Sequence, residues 1–157
     1  MFKGYKVFIG NKDYFVNNYN SEFKEGNIYT YEGKIQPKKY GYHFALRLED
    51  TLRFGNAREE DIIVCEVTAL GNITKYEDEY NDYYDLYVTD KLRIDKILSR
   101  EEILEYASNL PDYRLIRFII SMKLSDEEIK LFLNRSAEVL RYIDYYHNGN
   151  KEAFKLR

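Results

Sequence analysis

Eight consecutive residues, Ile62-Ile63-Val64-Cys65-Glu66-Val67-Thr68-Ala69, do most to limit what this chain can fold into. The run is apolar at both odd and even positions, with Glu66 as its interruption. That pattern predicts a strand covered on both faces, in the interior of a sheet. An interior strand needs hydrogen-bonding neighbours on both edges. The chain offers residues 5–9, ended by the turn signal Gly10-Asn11, and residues 42–45, 84–88 and 91–97. Residues 26–31 lead through Glu32-Gly33 to Lys34-Ile35, which reads as a hairpin. Residues 46–54 read as a short helix, with Leu48, Thr51, Leu52 and Phe54 near one face.

From Ser99 the period changes. Ser99 and Glu102 have capping-box spacing, and Ser125 and Glu128 repeat it. Asn109-Leu110-Pro111 stops the first helix, and Asp112 is placed to cap a second over residues 113–122. A last helix is expected over residues 136–146, before Asn148-Gly149-Asn150. The expected fold is therefore α+β. A mainly antiparallel, twisted β core occupies residues 1–98, and a C-terminal subdomain of three or four short helices occupies residues 99–157. A chain of 157 residues can bury enough surface to fold without a disulfide or a metal.

Charge and cysteine content narrow the function. A net charge of −3 disfavours duplex nucleic acid as a partner, because phosphates are neutralised by lysine and arginine. The single Cys65 excludes an intramolecular disulfide and a cysteine-based zinc cluster. His43 and His147 are too few for a histidine-rich metal site, so no metal is expected. Without a leader pattern or a long apolar run, the chain reads as intracellular and not membrane-bound.

Residue order hints at chemistry in two places, Gly41-Tyr42-His43-Phe44-Ala45 and Glu66-Val67-Thr68-Ala69-Leu70-Gly71-Asn72. The pair resembles the central segment of ADP-ribosyltransferases of the poly-ADP-ribose polymerase type. Gly41, Phe44 and Ala45 match the first block of that family. Phe54 falls where the family has a nicotinamide-stacking tyrosine. Glu66-Val67 and Ala69-Leu70-Gly71-Asn72 match the last block, with Thr68 as one extra residue. Asp85-Leu86-Tyr87-Val88 matches, more loosely, the strand bearing the catalytic glutamate. The resemblance implies a nucleotide or NAD cleft lined by Tyr42, His43, Phe54, Glu66 and Asp85. There Phe54 would stack a base, Asp85 would be the carboxylate, and His43 would contact ribose or move a proton. The chain departs from the pattern at His43, where the family has tyrosine, and at Asp85, which is one methylene shorter. It also offers Lys6 or Tyr5 where the family has a histidine or arginine on the first strand. The reading without chemistry is that Gly41 makes a turn while Phe44, Val64 and Val67 fill a core.

Residues 1–98 also resemble, more fully, a small domain of unassigned function in phage and giant-virus proteins. The shared blocks are Tyr5-Lys6-Val7-Phe8, Gly26-Asn27-Ile28-Tyr29, Gly33-Lys34-Ile35, Gly41-Tyr42-His43-Phe44, Glu66 through Gly71, and Thr89 through Ile94. In that pattern His43 is the expected residue. The resemblance implies a viral or phage origin and a host-cytoplasm location, and brings no activity or cofactor.

The remaining candidates concern surfaces. Tyr76, Glu77, Asp78, Glu79, Tyr80, Asp82, Tyr83, Tyr84 and Asp85 pack acids and tyrosines together and include no base. The segment reads either as a solvated loop or as a contact surface, with tyrosines giving area and carboxylates steering toward a basic partner. Lys34, Lys38 and Lys39, with Tyr40 and Tyr42, form an opposed basic patch. That patch reads as a solvated loop or as a holder of phosphate or a single strand. Tyr142, Tyr145 and Tyr146 fit either a homodimer seam or a helix-packing stripe. A Cys65–His43 nucleophilic pair can be drawn, but a thiol in the most apolar strand stays protonated. The sequence thus points to a non-catalytic binding protein acting on a host or defence protein. The alternative is a degenerate ADP-ribosyltransferase-like cleft that holds NAD.

Overall fold

The computed structural model describes residues 2–9, 24–37, 39–54, 62–77 and 86–147. The chain divides into two compact units, Met1–Leu98 and Ser99–Arg157. The fold is α+β.

In the first unit the described residues form seven strands: β1 (Phe2–Ile9), β2 (Ile28–Thr30), β3 (Tyr42–Ala45), β4 (Ile62–Ala69), β5 (Ile73–Lys75), β6 (Leu86–Thr89) and β7 (Lys91–Ile97). They make one sheet in the order β2-β7-β4-β1-β3-β6-β5. Every pairing in it is antiparallel. β1 is the middle strand, and it pairs with β4 along its whole length, from Phe2↔Ala69 to Ile9↔Ile62. The apolar run behaves as its composition demands: Val64, Cys65, Val67, Thr68 and Ala69 are all buried, so β4 is covered on both faces.

Strand alternation sorts the core into two sides. Phe8, Tyr42, Phe44, Cys65, Val67, Leu92 and Ile94 pack together on one side. Phe2, Phe44 and Tyr87 meet there ring to ring, with centroids 4.8–5.7 Å apart. Val7, Ala45, Val64, Leu86 and Val88 are buried at the opposite parity. Leu48 and Leu52 are buried too; they belong to the short helix α1 (Leu48–Thr51) and the 3₁₀ turn that continues it, which contact β1.

Gly4 shows how closely β1 and β3 approach. A Cβ there would overlap the Ala45 carbonyl and come within 2.9 Å of the Phe44 ring. Only glycine fits this crossing.

The hairpin expected over residues 26–35 does not form. β2 pairs with β7 instead, with Tyr29 opposite Leu92. Gly26 and Tyr31 extend that ladder through bonds to the Ile94 and Asp90 carbonyls. The pairing brings Tyr29 against the Leu92–Ile94 core, a gain that Lys34-Ile35 cannot match. Gln36 and Tyr40 pair with each other instead, in an isolated antiparallel bridge.

The second unit contains α2 (Arg100–Ser108), α3 (Asp112–Ser121), α4 (Asp126–Ile129), a 3₁₀ turn Lys130–Phe132 and α5 (Ala137–Tyr146). Both capping boxes form: Ser99 with Glu102 and Ser125 with Glu128. Ser136 caps α5. Asp112 is not the cap of α3. It is the first helical residue, behind Pro111, and its carboxylate meets the Arg135 guanidinium at 2.7 Å. Arg135 also donates to the Leu110 carbonyl at 2.5 Å, so one side chain ties the end of the α2 turn to the start of α3. Leu115, Phe118, Ile119, Phe132, Val139 and Ile143 are fully buried, and α3 packs on α5.

Candidate functional site

The Gly41–Ala45 motif forms the turn into β3 and β3 itself. Gly41 has φ +107°, and a Cβ on it would come 2.6 Å from Val88. This left-handed conformation favours glycine. Its carbonyl meets His43 Nδ1 at 3.2 Å. A carbonyl only accepts, so Nδ1 carries the proton and Nε2 carries the lone pair. Tyr42 and Phe44 enter the aromatic side of the core, while His43 and Ala45 point to the other side. Tyr42 and His43 are neighbours on a strand and therefore present to opposite faces.

His43 is 3% exposed. Burial, and then the nearby Lys6 ammonium, pull its pKa down to about 3 against the favourable Gly41 bond, so the ring is neutral at physiological pH. Lys6 is itself buried, donates to the His43 carbonyl at 2.5 Å and lies 5.4 Å from the Phe8 ring centroid. Cys65 is fully buried, and burial pushes its thiol up to about 12. A thiol held there is neither nucleophile nor metal ligand at neutral pH.

The Glu66–Asn72 motif is likewise built into the sheet. Val67 and Ala69 fill the core. Thr68 donates to Asp95 at 2.5 Å, and Arg93 donates to the same carboxylate at 2.7 Å. Gly71 lies against Asp90 and Lys91, and a Cβ on it would stand 2.9 Å from the Lys91 Cβ. Asn72 donates its amide and its side chain to the Asp90 carboxylate, at 2.8 and 3.0 Å.

Glu66 differs from its neighbours. It is half-buried, and its carboxylate makes no hydrogen bond or ion pair with any described residue. It faces an open groove of about 390 Å³ walled by Lys3, Tyr5, Leu46 and Asp95. Glu66 and Tyr5 oppose each other, and Tyr5 opposes Ala45, the residue before Leu46. A bulge in the β4–β7 pairing falls between Glu66 and Val67. It leaves Asp95 as the extra residue, between Ile94 and Lys96. Glu66 is legible in the sequence; the groove it faces is not. The available signal was a single acid inside an apolar run.

Of the expected cleft residues, the structure places Tyr42 in the aromatic core, His43 buried beside Gly41, and Glu66 at the groove. Phe54 ends the 3₁₀ turn, but its side chain is outside the described residues, as is all of Asp85. Of the acidic tyrosine segment, Tyr76 is half-buried and Glu77 exposed. Asp78, Glu79, Tyr80, Asp82, Tyr83 and Tyr84 lie outside the described residues. In the basic patch Lys34, Lys39 and Tyr40 are exposed, while Lys38 is outside the description. On α5, Tyr145 is 75% exposed, and Tyr142 and Tyr146 stack at 6.3 Å. His147, by contrast, is buried and bonds the Ile119 carbonyl through Nε2 at 3.2 Å.

Among the described residues, no group of three or more His, Cys, Asp or Glu is placed to hold a metal ion. No helix among them is long and apolar enough to cross a membrane. Comparison with protein-family models, curated proteins and solved structures found no match.

Proposed function

We propose that this chain is a non-catalytic binding protein of viral or phage type, working inside the host cell on a host or defence protein. The observation that supports the reading is the state of the two side chains with base or nucleophile chemistry in the motifs. His43 is buried and neutral, and Cys65 is buried and protonated. Gly41, Phe44, Val67 and Gly71 serve packing and backbone geometry in the same motifs. The functional chemistry then belongs to the surface. The contact surface is assigned to the acidic tyrosine segment from Tyr76 to Tyr84, whose carboxylates favour a basic partner. The exposed Tyr145 of α5, with the half-buried Tyr142 and Tyr146, offers a second surface, suited to another copy of the chain.

Affinity capture from host extract tests this reading, comparing the full chain with a variant lacking residues 77–82. The full chain should enrich a defined protein, and the variant should lose it with an unchanged melting temperature. Equal capture by both would remove the segment from the account. No selective capture by either would remove the binding function.

One observation favours the nucleotide reading: Glu66, one of its proposed cleft residues, faces a groove. Under that reading NAD or ADP-ribose binds there, and Glu66→Gln abolishes binding.

A further inference from the structure

Glu66 is half-buried at an open groove, and its carboxylate bonds no described residue. Such a group gains most from a cationic donor brought by a ligand. Asp95 stands beside it with its orientation fixed, one oxygen held by Arg93 and the other by Thr68. Each of those oxygens keeps a further lone pair. Tyr5 supplies an aromatic ring opposite Glu66. Leu46, 37% exposed, supplies an apolar wall. Two carboxylates, a ring and an apolar wall around about 390 Å³ match one long side chain with a planar cationic head.

We propose that this groove anchors an arginine side chain of the partner protein. A guanidinium has five donors in a plane, enough to bond Glu66 and Asp95 together while lying against Tyr5. Its methylene stem covers Leu46. A lysine ammonium is a point charge and cannot bridge the two carboxylates in the same way. The surroundings favour a basic partner. The segment from Tyr76 to Asp85 holds five acids and no base. The Tyr76 amide bonds the Leu86 carbonyl at 2.8 Å, and Leu86 opposes Ala45, next to the groove wall. Tyr76 and Leu86, which flank the segment, are therefore paired at the end of the sheet that carries Ala45. This inference rests on the binding function proposed above and names the partner's chemistry.

The test is an NMR titration of the isotope-labelled full chain with N-acetyl-arginine-N-methylamide, alongside its lysine and norleucine counterparts and free arginine. Saturable shifts are expected at the Tyr5, Glu66 and Asp95 amides with the blocked arginine, with weaker binding of lysine and no response to norleucine. Glu66→Gln should weaken arginine binding by about tenfold or more. Lys3→Glu, an exposed change on the groove wall, should tighten it. The Lys3→Glu arm keeps the test decisive if Glu66→Gln disturbs folding. No shifts, an equal response to norleucine or lysine, or unchanged affinity in both variants would overturn the proposal. Free arginine binding far more tightly than the blocked form would also overturn it, in favour of a small-molecule ligand. Partner capture retained at wild-type level by Glu66→Gln but lost on deleting residues 77–82 would sink the arginine anchor and leave the binding function standing.

Discussion

In the first unit, the deciding contacts join residues far apart in the chain. Gly4 lies against Ala45, Lys6 donates to the His43 carbonyl and Thr68 donates to Asp95. In the second unit, three of the deciding contacts close within three residues: Ser99 with Glu102, Ser125 with Glu128 and Ser136 with Val139. Two arginines, Arg100 and Arg135, add the longer ties. The sheet therefore depends on a few positions that admit one residue each. The helices depend on several smaller contributions, each replaceable. Single substitutions should separate the two units by size of effect.

The largest effect is expected at Gly4→Ala. The added methyl meets the β3 backbone, which cannot move without breaking the β1–β3 pairing. Overpacking of this kind costs about 3 kcal/mol. Urea unfolding read by reactivity of the Cys65 thiol checks it, since that thiol is buried in the same sheet. A loss within experimental error of zero would break the contrast between the units.

His43 gives the next effect. Its folded pKa of about 3 lies below the ordinary histidine value of 6.5, so the unfolded chain takes up a proton that the folded chain refuses. Stability is complete above pH 6.5 and falls as pH drops from there toward 3. The slope approaches about 1.4 kcal/mol per pH unit. His43→Asn should flatten that slope when unfolding is followed with a disulfide reagent that reacts at acid pH. A slope unchanged in the variant would place its origin elsewhere.

In the helical unit, Ser99→Ala and Ser125→Ala should each lower stability by about 1 kcal/mol, read by loss of helical circular dichroism on heating. The smallest effect belongs to the Arg100–Glu128 pair, which meets at 2.6 Å with Arg100 44% exposed. Arg100→Ala should cost about 0.5 kcal/mol, less at high salt. The Arg100 hydrogen bonds hold the Glu128 carboxyl down at about 2 against the ordinary glutamate value of 4.5. The pair's contribution is therefore present above pH 4.5 and disappears as pH falls toward 2. A large loss from Arg100→Ala at high salt would show that this tie is not screened surface chemistry.

What the sequence reveals follows the same division. Capping boxes are legible because donor and acceptor lie three residues apart. β4 is legible because burial on both faces leaves an apolar run that only Glu66 interrupts. The partner of β2 is not legible: Glu32-Gly33 signals a turn, but nothing local says that Tyr29 will lie opposite Leu92. β5 passes unnoticed because Ile73–Lys75 is short and exposed throughout. Gly4 reads as an ordinary residue before a strand until β3 is laid against it. At the groove, Glu66 is visible as the acid in the apolar run. Asp95 is not, because a bulge puts it there. Asp112 has the right type and position for a cap, but the Arg135 guanidinium holds it instead.

The central claim is that the Gly41–Ala45 and Val67–Asn72 segments serve the fold, and that binding of a protein partner belongs to the surface, including the groove at Glu66. The most direct test is calorimetric titration of the full chain with NAD and ADP-ribose, with nicotinamide release followed in the same samples. The account predicts no binding heat and no nicotinamide. Micromolar binding that Glu66→Gln removes, with or without turnover, would contradict it and make the motifs a nucleotide site.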